Sequence, residues 1–162
     1  MGSGKSTLGA LVAARCCVPF TDLDVEIERR AGTSVAAVFA RDGEAGFRAR
    51  ELQALADLVP GRAPGAVLAT GGGIVETAAA LPLLRQWGRI VWLRADPVAS
   101  VGRLGRASAG RPLLQGDWRA RYEDRAARYA AWADAVVSTH PEPVEASLAA
   151  LLAHSPFTAP PE

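Results

Sequence analysis

The feature that most constrains the fold is a glycine-rich hexapeptide that opens the chain, directly before a helical pattern that extends to about Arg15. Its residues are Gly2, Ser3, Gly4, Lys5, Ser6 and Thr7. They match the second half of the phosphate-binding pattern G-x-x-x-x-G-K-[ST], in which glycines let successive backbone N–H groups face one anion. Lys5 is the only lysine among the 18 Lys and Arg residues, which favours a chemical role for it over general surface charge.

This loop is only partly present in the sequence. Its first glycine would fall one position before Met1, and no apolar strand leads into it. Burying about five apolar side chains of such a strand would contribute on the order of 10 kcal/mol, whereas whole domains are stable by about 5–15 kcal/mol. We therefore expect that a first central strand is missing, that this chain is marginally stable, and that the true start lies upstream of Met1.

Strand-like and helix-like segments alternate along the chain, which predicts an α/β domain with a mostly parallel sheet. Strands are predicted at residues 18–23, 66–70, 89–93 and 135–138. Helices are predicted at residues 6–15, 25–30, 35–41, 44–59, 118–133 and 144–153, and a further one from Asp96-Pro97. We expect a single domain over residues 1–155, with a mobile cationic lid at about residues 104–117 and a flexible tail at residues 156–162.

Charge and hydropathy exclude several kinds of partner. The net charge of +1 is too small to favour nucleic acid or an anionic membrane. No apolar run approaches the roughly 20 residues of a membrane span, and the polar, glycine-rich start is unlike a signal peptide. We therefore expect a monomeric protein of the cytoplasm.

Two carboxylates, Asp22 and Asp24, lie at the carboxyl end of the first predicted strand. Ligands of open α/β sheets bind at the carboxyl ends of the strands, and alternation along a strand would point both side chains the same way. One could then hold Mg²⁺ through water and the other could accept a proton from a substrate. The alternative is a solvated turn that caps the next helix.

Two arginines are candidates for binding a substrate anion. Arg48 lies near the start of a long amphipathic helix, where it could hold a carboxylate with two hydrogen bonds. The alternative for Arg48 is a surface ion pair with Glu51, three residues further on. Arg125 lies on the helix after the predicted lid, where an exposed salt bridge is the ordinary alternative.

Glycine and arginine mark two further candidate segments. Gly71, Gly72 and Gly73 end a predicted strand, which suits a ligand that must approach the main chain closely, although a tight turn would explain them too. Arg111 belongs to the Gly- and Arg-rich segment, which suits a lid that closes over phosphates. An exposed basic loop is the alternative for that segment.

Together these motifs resemble the shikimate kinase family over about residues 1–153. The resemblance rests on their order and spacing: GSGKST, then Asp22-x-Asp24, Asp42-Gly43-Glu44 with Phe47-Arg48 and Glu51, Gly71-Gly72-Gly73, Arg111-Pro112-Leu113-Leu114, and Arg125 four residues before Tyr129. It implies a three-layer P-loop kinase fold with a parallel sheet in the order 2-3-1-4-5. It also implies that ATP and shikimate give ADP and shikimate 3-phosphate, a step toward chorismate and the aromatic amino acids.

The resemblance further implies how the nucleotide is bound. Gly2 to Thr7 would bind ATP, with Lys5 on its phosphates and Ser6 on the Mg²⁺ ion that accompanies it. Asp22 would lie in the outer shell of that metal. Arg111 would swing in with the lid and stabilise charge on the transferring phosphoryl group. Arg103 is similar to the arginine that stacks on adenine, with Arg106 as a competitor.

For the acceptor, the resemblance assigns Asp24 to the attacking hydroxyl of shikimate, as its binding group and base. Arg48 and Arg125 would hold the shikimate carboxylate. Gly71 to Gly73, and Gly72 especially, would bring main-chain N–H groups to a substrate hydroxyl. Two alternatives stay open: another small-metabolite kinase such as a gluconate kinase, or a non-catalytic relative that binds a ligand or a partner.

Overall fold

The computed structural model describes residues 2–96 and 118–154, which form alternating helices and strands. The helices are α1 (Lys5–Arg15), α2 (Leu23–Ala31), α3 (Val35–Leu58), α4 (Ala80–Trp87), α5 (Trp118–Trp132) and α6 (Val144–Ala153). The strands are β1 (Phe20–Asp22), β2 (Val67–Ala69), β3 (Val91–Arg94) and β4 (Ala135–Ser138), and a short 3₁₀ helix spans Ile74–Glu76. In this part of the chain, no helix is long and apolar enough to cross a membrane.

The strands form two separate parallel pairs. β1 pairs with β2, with Asp22 opposite Ala69, and β3 pairs with β4, with Arg94 opposite Ser138. No strand within residues 2–96 or 118–154 joins the two pairs. Because β1 and β2 are parallel, the residues that follow them emerge at the same edge. The sequence therefore brings the segment after Asp22 close to the glycines after Ala69.

Local signals explain where the helices of the first half begin and end. Asp22 caps α2 by accepting a hydrogen bond from the N–H of Asp24 at 3.0 Å, and Ser34 caps α3 through the N–H of Ala37 at 3.2 Å. Gly32 ends α2 in a left-handed conformation, with φ 63°. Gly43, with φ 67° and ψ −176°, breaks α3 into the two helices that the sequence predicts.

The main core lies where α2, α3 and α4 pack together. Leu23, Ile27, Val38 and Leu55 are at most 2% exposed, and each such side chain contributes about 1.5–3 kcal/mol on burial. A smaller cluster joins Leu8 and Val12 of α1 to Leu148 of α6. Leu8 lies in the first turn of α1 and Leu23 directly follows β1, so each cluster adjoins one part of the candidate site.

The structure confirms the predicted α/β alternation, and β4 and α6 have the predicted bounds. One local prediction is wrong: Asp24 does not continue a strand, because α2 begins at Leu23 and places Asp24 in the first helical turn. The predicted helix from Asp96-Pro97, the lid at residues 104–117 and the tail at residues 156–162 lie outside the described residues.

Candidate active site

The predicted phosphate loop leads directly into the first turn of α1. Gly4 adopts a left-handed conformation, with φ 84° and ψ 12°, and accepts the N–H of Leu8 at 2.8 Å. Gly2 also has a positive φ of 70°, so the two glycines make a turn that other residues adopt only with strain. Gly4 has no side chain that could cap the helix, and the first N–H groups of α1 are therefore suited to an anion. Lys5 is half-buried, whereas Ser6 and Thr7 are exposed.

Ser6 in the first turn of α1 contacts Asp22 at the end of β1. The Ser6 hydroxyl donates to Asp22 Oδ2 at 2.5 Å, while Asp22 Oδ1 accepts the N–H of Asp24. Asp22 therefore caps α2, as the structural alternative predicted, and also contacts the phosphate loop. A hydroxyl and a carboxylate are oxygen ligands of the kind that Mg²⁺ prefers.

These two residues would supply only part of a magnesium coordination sphere. Among the described residues, no group of three or more His, Cys, Asp or Glu side chains could hold a metal ion. Mg²⁺ commonly keeps several waters and binds through one or two protein groups plus substrate phosphates. The donors that are present fit an ion that arrives with a nucleotide better than one held by the protein alone.

Asp24 and Glu51 converge on Gly71. A Cβ atom placed on Gly71 would lie 2.6 Å from Glu51 Oε1 and 3.1 Å from Asp24 Oδ1. A side chain at this position would have to displace the buried Glu51 carboxylate, so the close approach that the triple glycine predicted is present here between protein groups. The same segment also forms a turn, because the N–H of Ile74 donates to the carbonyl of Gly71 at 3.2 Å.

Arg48 forms an ion pair with Glu51, as one of the two predictions for it stated, but this pair is not on the surface. Arg48 Nη1 donates to Glu51 Oε2 at 2.7 Å, and Glu51 is 0% exposed. Burial raises the pKa of the Glu51 carboxyl; the charge and hydrogen bond of Arg48 oppose that rise, and the negative charges of Asp24 and Glu76 add to it. A Cβ on Gly73 would overlap the Arg48 guanidinium, so this glycine makes room for the arginine.

Arg125 lies beside Arg48, and one carboxylate connects them. Glu76 Oε1 accepts from Arg125 Nε at 2.9 Å, and Glu76 Oε2 lies 3.2 Å from Arg48 Nη2. Arg125 is only 9% exposed, so the exposed salt bridge considered for it is wrong. Arg48 and Arg125, which are 77 positions apart in the sequence, thus both face the Glu76 carboxylate next to the triple glycine.

Tyr129 closes the same region from α5. Its hydroxyl donates to the carbonyl of Gly72, and its ring stacks on Trp92 with centroids 5.5 Å apart. Burial raises the pKa of Tyr129 to about 12, so its hydroxyl stays a hydrogen-bond donor at neutral pH. The sequence motifs predict no function for Glu76 or Tyr129. The four-residue spacing that puts Tyr129 on the Arg125 side of α5 is the signal that could have found it.

The described residues thus bring together the loop at Gly2 to Thr7, Asp22, Asp24, Arg48, the triple glycine and Arg125. Arg103, Arg106 and Arg111 lie outside the described residues.

Comparison with solved structures defines the class of protein. Shikimate kinase from Acinetobacter baumannii, solved in complex with shikimate, matches with a TM-score of 0.86 at 33% identity, covering 94% of this chain and 86% of that one. Shikimate kinase from Bacteroides thetaiotaomicron matches with a TM-score of 0.81 at 32% identity, covering 95% and 93%. The fold is that of the P-loop kinases, as predicted.

Sequence comparison narrows the class to a family. The family model of shikimate kinase matches residues 1–155. Shikimate kinase of Pseudomonas entomophila (strain L48) is 43% identical over 148 residues, which cover 88% of this chain and 84% of the relative. That of Pseudomonas syringae pv. tomato is 46% identical over 115 residues, covering 71% and 65%. The chain belongs to the shikimate kinase family, a family of phosphotransferases.

Proposed function

We propose that this chain transfers the γ-phosphoryl group of ATP to the 3-hydroxyl of shikimate, giving shikimate 3-phosphate. The observation that carries the proposal is the pairing of Arg48 and Arg125 around one carboxylate, that of Glu76, next to Gly71–Gly73. Two guanidinium groups that converge on a carboxylate suit an acceptor with a carboxylate of its own. Membership of the family and the likeness to a structure solved with shikimate support the same substrate.

In this proposal, the acceptor binds between the arginines and Asp24. Arg48 and Arg125 orient its carboxylate, and main-chain N–H groups of Gly71 to Gly73 contact a hydroxyl. Asp24 would bind the attacking hydroxyl and accept its proton as the new P–O bond forms and the bond between the γ-phosphorus and the bridging oxygen breaks, releasing ADP. The proximity of Asp24 to Gly71 supports this placement. Holding the hydroxyl in line with the phosphoryl group would supply much of the rate enhancement.

The nucleotide would bind on the other side of Asp24, at the start of α1. N–H groups of Gly2 to Thr7 and the Lys5 ammonium would contact the phosphates. Ser6, with Asp22 in the outer shell, would hold the accompanying Mg²⁺, which would supply charge neutralisation. The contact of Ser6 with Asp22 supports this assignment. Arg111 as the lid arginine, Arg103 or Arg106 on adenine, the cytoplasmic location and the monomeric state stay predictions.

A panel of acceptors tests the proposed function. Release of ADP from ATP and Mg²⁺ should require shikimate and should stay near background with gluconate or with no acceptor. Turnover of gluconate instead would assign the chain to another small-metabolite kinase. Binding of ATP without turnover of either acceptor would favour the non-catalytic alternative.

A further inference from the structure

Glu76 is the residue in the candidate site that neither the sequence motifs nor the proposed reaction use. It ends the 3₁₀ helix after the triple glycine, and its N–H donates to the carbonyl of Gly73 at 2.9 Å. Its two carboxylate oxygens point to different arginines: Oε1 lies 2.8 Å from Arg125 Nη2 and Oε2 lies 3.2 Å from Arg48 Nη2. This bridging geometry is the one expected of a bound substrate carboxylate.

The charges around the two arginines are already compensated by the protein. Arg48 contacts Glu51 at 2.7 Å, Glu76 at 3.2 Å and Glu44 at 3.5 Å, and Arg125 contacts Glu76. Within residues 2–96 and 118–154, these two guanidinium groups therefore face three carboxylates. An additional carboxylate would be repelled unless one of the three moves away.

Burial indicates which carboxylate can move. The Glu51 side chain is 0% exposed. If its carboxylate moved away from Arg48, it would be a buried charge without a partner, which is unfavourable. The Glu44 side chain is 45% exposed and makes the longest contact with Arg48, at 3.5 Å. Its departure would therefore free little of the Arg48 guanidinium for another anion. Glu76 is 24% exposed and is the only one of the three that contacts both arginines within the described residues. It can turn toward water and leave both guanidinium groups to another anion.

We propose that Glu76 is a specificity-determining residue whose carboxylate competes with the substrate carboxylate for Arg48 and Arg125. Binding of an acceptor then requires its carboxylate to replace that of Glu76. Acceptors that lack a carboxylate cannot displace it and find the arginines occupied. This inference rests on the proposed function, because it assumes that the two arginines hold the acceptor.

The test compares shikimate with its uncharged methyl ester. Their dissociation constants are measured by titration calorimetry for the wild-type chain, Glu76→Gln and the control Glu44→Gln. Glu76→Gln should bind shikimate about three- to tenfold more tightly, the size of one partly exposed charged contact. The affinity of Glu76→Gln for the methyl ester should change by less than about twofold, because the uncharged ester does not compete with Glu76 for the arginines. Glu44→Gln should have the smaller effect on shikimate binding.

A second variant and a kinetic measurement keep the test independent of folding. Glu76→Asp retains the charge on a side chain that is one methylene shorter and should bridge the arginines less well. This variant should therefore bind shikimate with an affinity between those of the wild-type chain and Glu76→Gln. In steady-state assays of Glu76→Gln, the KM for shikimate should fall while kcat and the KM for ATP stay nearly unchanged.

The outcomes separate this inference from the proposed function. If the wild-type chain binds shikimate and Glu76→Gln binds it equally or more weakly, Glu76 is a scaffold residue and the inference is overturned alone. If the folded wild-type chain binds ATP but not shikimate, the result contradicts the proposed function. The inference about Glu76 is then overturned as well, because it assumes that function.

Discussion

At the scale of single residues, Asp24 is placed by constraints from two elements. Asp22 accepts its N–H at 3.0 Å and fixes it in the first turn of α2, and the absence of a side chain on Gly71 lets its Oδ1 approach the end of β2. The first of these constraints acts on the backbone N–H of Asp24 and so does not depend on its carboxylate. A change of charge at this position should therefore affect chemistry far more than folding.

Asp24→Asn should reduce kcat by about 10²- to 10⁴-fold, the usual contribution of a general base. The amide keeps the shape of the side chain but cannot accept the proton of the attacking hydroxyl. ATP affinity, measured by titration calorimetry, should stay within a few-fold of the wild-type value. Near-normal turnover in this variant would remove Asp24 as the base.

Arg48 allows a second test, provided that its buried partner is treated with it. Removing the arginine alone would leave the Glu51 charge unpaired, at a cost of about 3–5 kcal/mol. The substitution Arg48→Ala is therefore made together with Glu51→Gln, and Glu51→Gln alone serves as the control. The double variant should have a KM for shikimate about ten- to a hundredfold above that of its control, with a small change in the KM for ATP. Equal changes in both KM values would contradict a carboxylate-binding role.

At the scale of elements, the beginning of α3 gives a prediction about stability. Ser34 is the N-cap of this helix, because its hydroxyl accepts the N–H of Ala37. Ser34→Ala should lower the free energy of unfolding by about 1 kcal/mol, as measured by urea denaturation. Thr33→Ala is the matched control and should change it by less than half as much. The reverse order would show that Ser34 does not cap the helix in solution.

The elements also show which parts of the fold were predictable. Strand β4 and helix α6 have clear periodic patterns between turn residues, and their bounds were predicted correctly. Asp24 was misplaced because alternation cannot show that Asp22 caps a helix starting one residue later. Glu51 offers the opposite lesson. An i,i+3 pair usually lies on a helix surface, whereas Glu51 is buried and its carboxylate lies against Gly71.

At the scale of the whole molecule, a network of ion pairs joins α2 to α3 and should affect stability in acid. Glu26 contacts Arg29 at 2.8 Å and Arg30 at 2.6 Å, and Arg30 also contacts Asp57 at 2.5 Å. Hydrogen bonds from Arg29 and Arg30 lower the pKa of Glu26 from 4.5 to about 2. As the pH falls below 4.5, the unfolded chain takes up this proton first, so the stabilisation is present above that pH and is lost toward pH 2.

Glu26→Gln should therefore be less stable than the wild-type chain at pH 7 and should lose less further stability between pH 4.5 and pH 2. Thermal melts at several pH values measure both quantities. Glu145→Gln on α6 is the control for loss of a carboxylate elsewhere. Parallel stability curves for Glu26→Gln and the wild-type chain would contradict the lowered pKa.

The candidate site was predictable to the extent that its residues belong to compact motifs. The phosphate loop, Asp22, Asp24, Arg48, the triple glycine and Arg125 could all be named from the sequence, and the structure brings them together. Glu76 could not, because its role depends on the meeting of α3 and α5 beside the 3₁₀ helix. Spacing along the chain carries no signal for a contact between residues 48, 76 and 125.

The position of the phosphoryl group in the product shows whether the chain phosphorylates the 3-hydroxyl of shikimate. Phosphorus NMR after incubation of the purified chain with ATP, Mg²⁺ and shikimate should show a single new phosphomonoester, coupled to the proton on carbon 3. Asp24→Asn should give far less of this product during the initial phase of the wild-type reaction. A phosphoryl group on another hydroxyl, or inorganic phosphate as the sole product beside ADP, would contradict the account.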